Sequence, residues 1–109
     1  MMPSHIVVMI TVPSREVGEQ IGSALVERRL AACVNIVPGI ASIFHWQGNV
    51  ENDNELLLIA KTRGDLFNRL ATSVKQIHPY DVPEVIAVPI IAGSNEYLAW
   101  IDTETAEIQ

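Results

Sequence analysis

Gln47-Gly48-Asn49 lies between two long stretches of strand-forming sequence, and it constrains the fold more than any other feature of the chain. A short turn of this composition joins neighbouring antiparallel strands and fixes their register. Before it, residues 31–37 are apolar, Pro38-Gly39 interrupts the run, and residues 40–46 resume it. Proline followed by glycine inside such a run reads as a bulge or bend within one long strand. After the turn, residues 56–62 form the returning strand, with polar Glu51-Asn52-Asp53-Asn54-Glu55 near the hairpin end.

The elements around this hairpin follow from period and punctuation. Residues 5–12 are a β-rich run closed by Pro13, and Ser14 can cap the helix that follows. Val17, Ile21, Ala24, Leu25 and Leu30 give an approximate helical stripe over residues 15–30. Gly64-Asp65 opens a second helix carrying Leu66, Leu70, Val74 and Ile77, and Pro79 stops it at His78. Residues 85–91 read as a fourth, edge or short strand between Pro83 and Pro89, and Gly93-Ser94 introduces a short helix with Tyr97, Leu98 and Ile101 on one side. The order β-α-β-β-α-β plus a C-terminal helix predicts an α+β, ferredoxin-like domain spanning residues 1–109, with two helices on one face of an antiparallel sheet. Two helices leave the other face open. Ile40, Ile43, Phe44, Trp46, Leu57 and Ile59 then need a further surface, which a closed homo-oligomer supplies.

Composition excludes several classes. A chain of 109 residues fits one domain, and 49% hydrophobic with 18% charged residues fits a folded one. With 7 Lys and Arg against 13 Asp and Glu, the net charge of −6 repels a phosphate backbone, so nucleic acid is not an expected partner. Arg28-Arg29, the one basic pair, falls near a predicted helix end, where cations favour the dipole. No apolar run is long enough to cross a membrane, and the run at residues 6–12 lacks the flanks of a signal peptide. The single cysteine, Cys33, is compatible with a reducing compartment, so the expected location is the cytoplasm.

The chemistry concentrates in His78-Pro79-Tyr80-Asp81-Val82-Pro83-Glu84. The imidazole of His78 is either a helix terminator or a metal ligand or proton-transfer group, with Tyr80, Asp81 and Glu84 as oxygen donors nearby. Cys33 is either a small core residue or a nucleophile that would need His78 beside it. Lys61, in an apolar strand, is either the ion-pair partner of a carboxylate such as Glu84 or a ligand contact. Residues 51–55 lack the spacing of a calcium loop and read as a solvated hairpin end. Trp46, Trp100, Tyr97 and Phe44 read as core or interface anchors. No phosphate-binding loop or nucleophile elbow is present, so no enzyme is expected.

Thr11-Val12-Pro13, Ala31-Ala32-Cys33-Val34-Asn35-Ile36-Val37-Pro38-Gly39, Ser42, Trp46-Gln47-Gly48, Glu55 and Lys61-Thr62 occur in order along the chain. His78-Pro79-Tyr80, Pro83-Glu84, Gly93 and Tyr97-Leu98-Ala99-Trp100-Ile101 complete the set. By these residues the sequence resembles the CutA family of divalent-cation tolerance proteins from about residue 6 to residue 101. The resemblance implies a homotrimer of ferredoxin-like subunits whose long strands wrap onto neighbours, similar in architecture to PII signalling proteins, which bind ligands between subunits. By position, His78, Tyr80, Glu84, Lys61, Glu55, Cys33 and Trp46 would line such a cleft, with His78 the main metal ligand. Weakly bound copper or another divalent cation, not required for folding, is the implied cofactor, and no protein partner other than the chain itself is indicated. Ile10 and Ile77 stand where copper-binding relatives carry an extra Cys and an extra His, and Phe44 where many carry Tyr; those positions cannot supply copper ligands here. The rival expectations are a PII-like sensor binding a small anionic metabolite through Lys61, and a Cys33–His78 hydrolase or transferase.

Overall fold

Residues 2–107 are described by the structure, a computed structural model. Strand β1 (His5–Val12) alternates strictly: Ile6, Val8, Ile10 and Val12 are buried and the residues between them are half-buried. Successive side chains of a strand point to opposite faces, so one face of β1 is core. Helix α1 (Arg15–Glu27), strands β2 (Cys33–Trp46) and β3 (Asn49–Arg63), helix α2 (Phe67–Ile77), strand β4 (Val85–Pro89) and helix α3 (Asn95–Glu104) follow. Neighbouring strands pair antiparallel in the spatial order β2-β3-β1-β4. This is the expected β-α-β-β-α-β order with a C-terminal helix.

Ile21 and Leu25 of α1, Leu70 and Val74 of α2, and Leu58 and Ala60 of β3 close over the buried face of β1 as one apolar cluster. Thr62 continues that face, and its buried hydroxyl donates to the Leu30 carbonyl at 2.7 Å. Helix α3 lies on the opposite face. His5 and Arg63, which alternate with core-facing residues, reach Asp102 and Thr105 at its C-terminal end, and Ile101 is fully buried outside the main cluster.

Helix α1 stops three residues short of the expected Leu30, and the reason is a backbone reversal without glycine. Arg29 takes φ 57°; its N–H donates to Val26 O at 3.1 Å and that of Leu30 to Leu25 O at 2.9 Å. Those two bonds are a Schellman motif, usually signalled by glycine at the left-handed position. Arg29 also reaches across to the carbonyls of Thr103 and Glu104, so its cation serves the C-terminus of α3 and not that of its own helix. A 3-10 turn, Gly64–Leu66, precedes α2, which ends at Ile77 with His78 extended at ψ 135°, as Pro79 requires. Strand β4 is an edge strand and ends at Pro89, two residues before the expected limit.

β3 pairs with β2 from Asn49 to Lys61 but with β1 only from Leu56 onward. Residues 40–55 are therefore a two-stranded arm, and the molecule is elongated at 46 × 27 × 25 Å. The arm closes through Gln47 and Gly48 at φ 51° and 81°, the backbone of a two-residue type I′ turn. At Pro38-Gly39 the register shifts between Val37 and Ile40, with Gly39 at φ 78°. This bulge keeps Val37 and Ile40 on the same face of the sheet. Residues 51–55 form the solvated part of the hairpin, with 52–54 exposed, and they are ladder residues, paired with Phe44 through Ile40.

A carboxylate and aromatic cleft beside the arm

The segment after α2 is pinned at several points. His78 N–H donates to Val74 O at 2.8 Å, closing the helix. Its ring is buried, with Nε2 2.8 Å from Thr11 O and Nδ1 accepting from Tyr80 N–H at 3.2 Å. A carbonyl only accepts, so Nε2 carries the ring proton and the Nδ1 lone pair is used by the backbone. Neither nitrogen of His78 is left to bind a metal without surrendering one of these bonds. Lys75 Nζ donates to the Asp81 carbonyl, a second tether on the same segment.

Tyr80 turns toward the arm. Its hydroxyl donates to Glu55 Oε2 at 3.0 Å, and its ring packs at 4.7 Å and 53° against that of His78. Burial, then the hydrogen bond and negative charge of Glu55 and the charge of Asp53, push the phenol up to about 12. Each of those causes penalises phenolate, so Tyr80 is held as a donor.

Between arm and segment lies a cleft of about 740 Å³. Strand alternation builds one wall: Ser42, Phe44 and Trp46 of β2 face the same way as Glu55, Asp53 and Glu51 of β3. The other wall is Pro79 to Glu84, with Tyr80, Asp81 and Glu84 lining it. Among the described residues that line the cleft there are carboxylates and aromatics but no lysine, arginine or histidine.

Of the residues singled out in the sequence, Trp46, Glu55, Tyr80 and Glu84 come together here, with His78 directly behind them. Cys33 and Lys61 do not. They pair with each other across β2 and β3, four residues along β3 from Leu57, the partner of Thr11; that is about 13 Å of strand. Lys61 Nζ donates to Asn35 Oδ1 and lies 3.9 Å from Cys33 Sγ. Its expected ion pair with Glu84 is not formed, because the two residues sit at different ends of the sheet. Cys33 and His78 are likewise separated within one chain. Glu51 and Asp53 were missed as cleft residues; their spacing with Glu55 at alternate positions was the available signal, once the segment is read as strand.

Comparison with known proteins agrees with the fold. The sequence model of the family described as CutA1 divalent ion tolerance protein matches residues 6–104. A Thermus thermophilus protein named divalent-cation tolerance protein CutA is 58% identical over 99 residues, 91% of this chain and 96% of that protein. An Arabidopsis thaliana protein named CutA, chloroplastic, is 53% identical over 92% of this chain, which spans 55% of its length. The crystal structure of CutA1 from Oryza sativa superposes with a TM-score of 0.93 at 48% identity, covering 98% of each chain.

Proposed function

This chain belongs to the CutA1 divalent ion tolerance protein family, and on that premise we propose that it serves divalent-cation tolerance as a homotrimer, holding cations weakly and reversibly in clefts completed between subunits. The observation that carries this reading is the sign of the cleft, whose titratable lining residues are five carboxylates and the Tyr80 phenol, which stays protonated. Trimerisation is supported by the apolar residues the single chain leaves in water, among them Ile43 at 71% and Val50 at 68% exposed on the arm, and Ile86 and Val88 on β4. No group of three His, Cys, Asp or Glu among the described residues converges on one ion. A single chain therefore does not fit a closed copper site, and its hard oxygen donors suit weakly held, exchangeable cations. Completion of the ligand set by a neighbouring copy is part of the proposal. An anionic metabolite is not favoured, because the cleft presents no basic side chain and Lys61 is engaged elsewhere. We place this role in the cytoplasm and assign no reaction to the chain.

Equilibrium dialysis against Cu(II) and Mn(II), with light scattering on the same samples, tests the reading. Saturable binding to a trimer, reduced in Asp53→Asn, is expected. A stable monomer at micromolar concentration, or binding untouched by Asp53→Asn, overturns it.

A further inference from the structure

Glu55 is the unusual member of the cleft. It is only 6% exposed, yet among the described residues no basic side chain pairs with it. Its Oε2 accepts from the Tyr80 hydroxyl, whereas Oε1 has no hydrogen-bond partner among the described residues, and the residue lines the cleft. A carboxylate so far withdrawn from water calls for a cation.

The rest of the cleft specifies what kind. Phe44, Trp46 and Tyr80 present ring surface beside the carboxylates, and aromatic faces attract ammonium groups while contributing apolar contact to a carbon chain. Glu51, Asp53 and Glu55 follow one another on one face of β3, with Cα atoms roughly 6.8 Å apart. Carboxylates strung out in this way do not converge on one small ion, in keeping with the absence of a three-donor cluster among the described residues. They match a cation whose charges are themselves spaced along an apolar chain. The volume of about 740 Å³ is that of an organic ligand site.

We propose that this cleft binds an aliphatic diamine or polyamine, with Glu55 and Asp53 pairing its ammonium groups and Trp46 and Phe44 packing along its methylenes. The assignment rests on the reading of the cleft as the cation site and names a ligand class for it.

Titration calorimetry of spermidine into the full chain in its own oligomeric state tests it, with Mn(II) titrated separately. Saturable spermidine binding is expected, weakened about tenfold in Glu55→Gln and about fivefold in Trp46→Leu. Asp53→Asn, at an exposed position, repeats the test without removing the Glu55–Tyr80 hydrogen bond. Glu16→Gln removes the same charge from α1, outside the cleft, and should leave binding unchanged. Absence of saturation, or equal weakening by Glu16→Gln, overturns the amine assignment. Mn(II) binding that depends on Asp53 without any spermidine binding sinks this inference alone; loss of both sinks the cleft reading as well.

Discussion

The Tyr80 hydroxyl and Glu55 Oε2, 3.0 Å apart, join the segment after α2 to the base of the β2–β3 arm. They are 25 residues apart in sequence and belong to elements that share no strand ladder. Glu55 lies one residue before Leu56, where β3 leaves β1 and continues alone with β2. The bond therefore braces the arm at the point where the sheet stops supporting it.

Replacing Tyr80 tests that brace. Tyr80→Phe keeps the ring against His78 and removes the donor, so it should lower stability by about 1–2 kcal/mol. The wild type should also lose stability as pH rises from near 10 through about 12, because the unfolded chain releases the phenolic proton first while the folded chain still holds it. Below pH 10 both states hold the proton, and this contribution is fully present. Tyr97, also pushed up by burial and by Cys33, adds a slope of the same sign. Denaturant melts across this range should show a shallower alkaline decline in Tyr80→Phe; an unchanged decline would assign it elsewhere.

His78→Ala separates structure from metal binding. The substitution leaves Thr11 O and Tyr80 N–H without their partner, and a loss of roughly 2–4 kcal/mol is expected in chemical denaturation. Copper bound per subunit should stay the same, measured in dialysis below the unfolding transition. A fall in stoichiometry with little change in stability would reverse the assignment and make His78 the ligand.

Thr62→Val probes the closed face. The hydroxyl of Thr62 is the donor to the Leu30 carbonyl, and valine fills nearly the same volume without it. A destabilisation of about 1–2 kcal/mol is expected from thermal unfolding. Less than a few tenths would mean that the carbonyl finds another donor.

Gly48→Ala acts on the arm alone. At φ 81° an added Cβ costs about 1 kcal/mol through the backbone conformation, since no neighbouring atom lies within 4 Å of it. Faster amide exchange should be confined to residues 40–55, with the β1 amides unaffected. Uniform acceleration across the chain would show that arm and core unfold together.

Much of the fold was legible because its signals are local. Proline and glycine at 38–39, the turn at 47–49, the serine caps at 14 and 94, and Pro79 after His78 act through neighbouring backbone, and each marks an element as expected. The end of α1 was not legible, because Arg29 takes the left-handed conformation that glycine usually announces and is held there by contacts with α3, 74 residues away. Residues 51–55 read by polarity as a solvated hairpin end, and the burial of Glu55 within it follows only from the tertiary structure.

By itself the sequence determined the order of elements, the bulged hairpin and the family, since each depends on residue types at short spacing. Only the tertiary structure decided which candidates meet. It set Glu55 under Tyr80, turned His78 inward to Thr11, and left Cys33 and Lys61 a strand's length away. The physical reason is register. A strand pairing fixes which residues share a row, and a loop pinned by a buried imidazole fixes which side chains face that row; neither is encoded at the positions themselves.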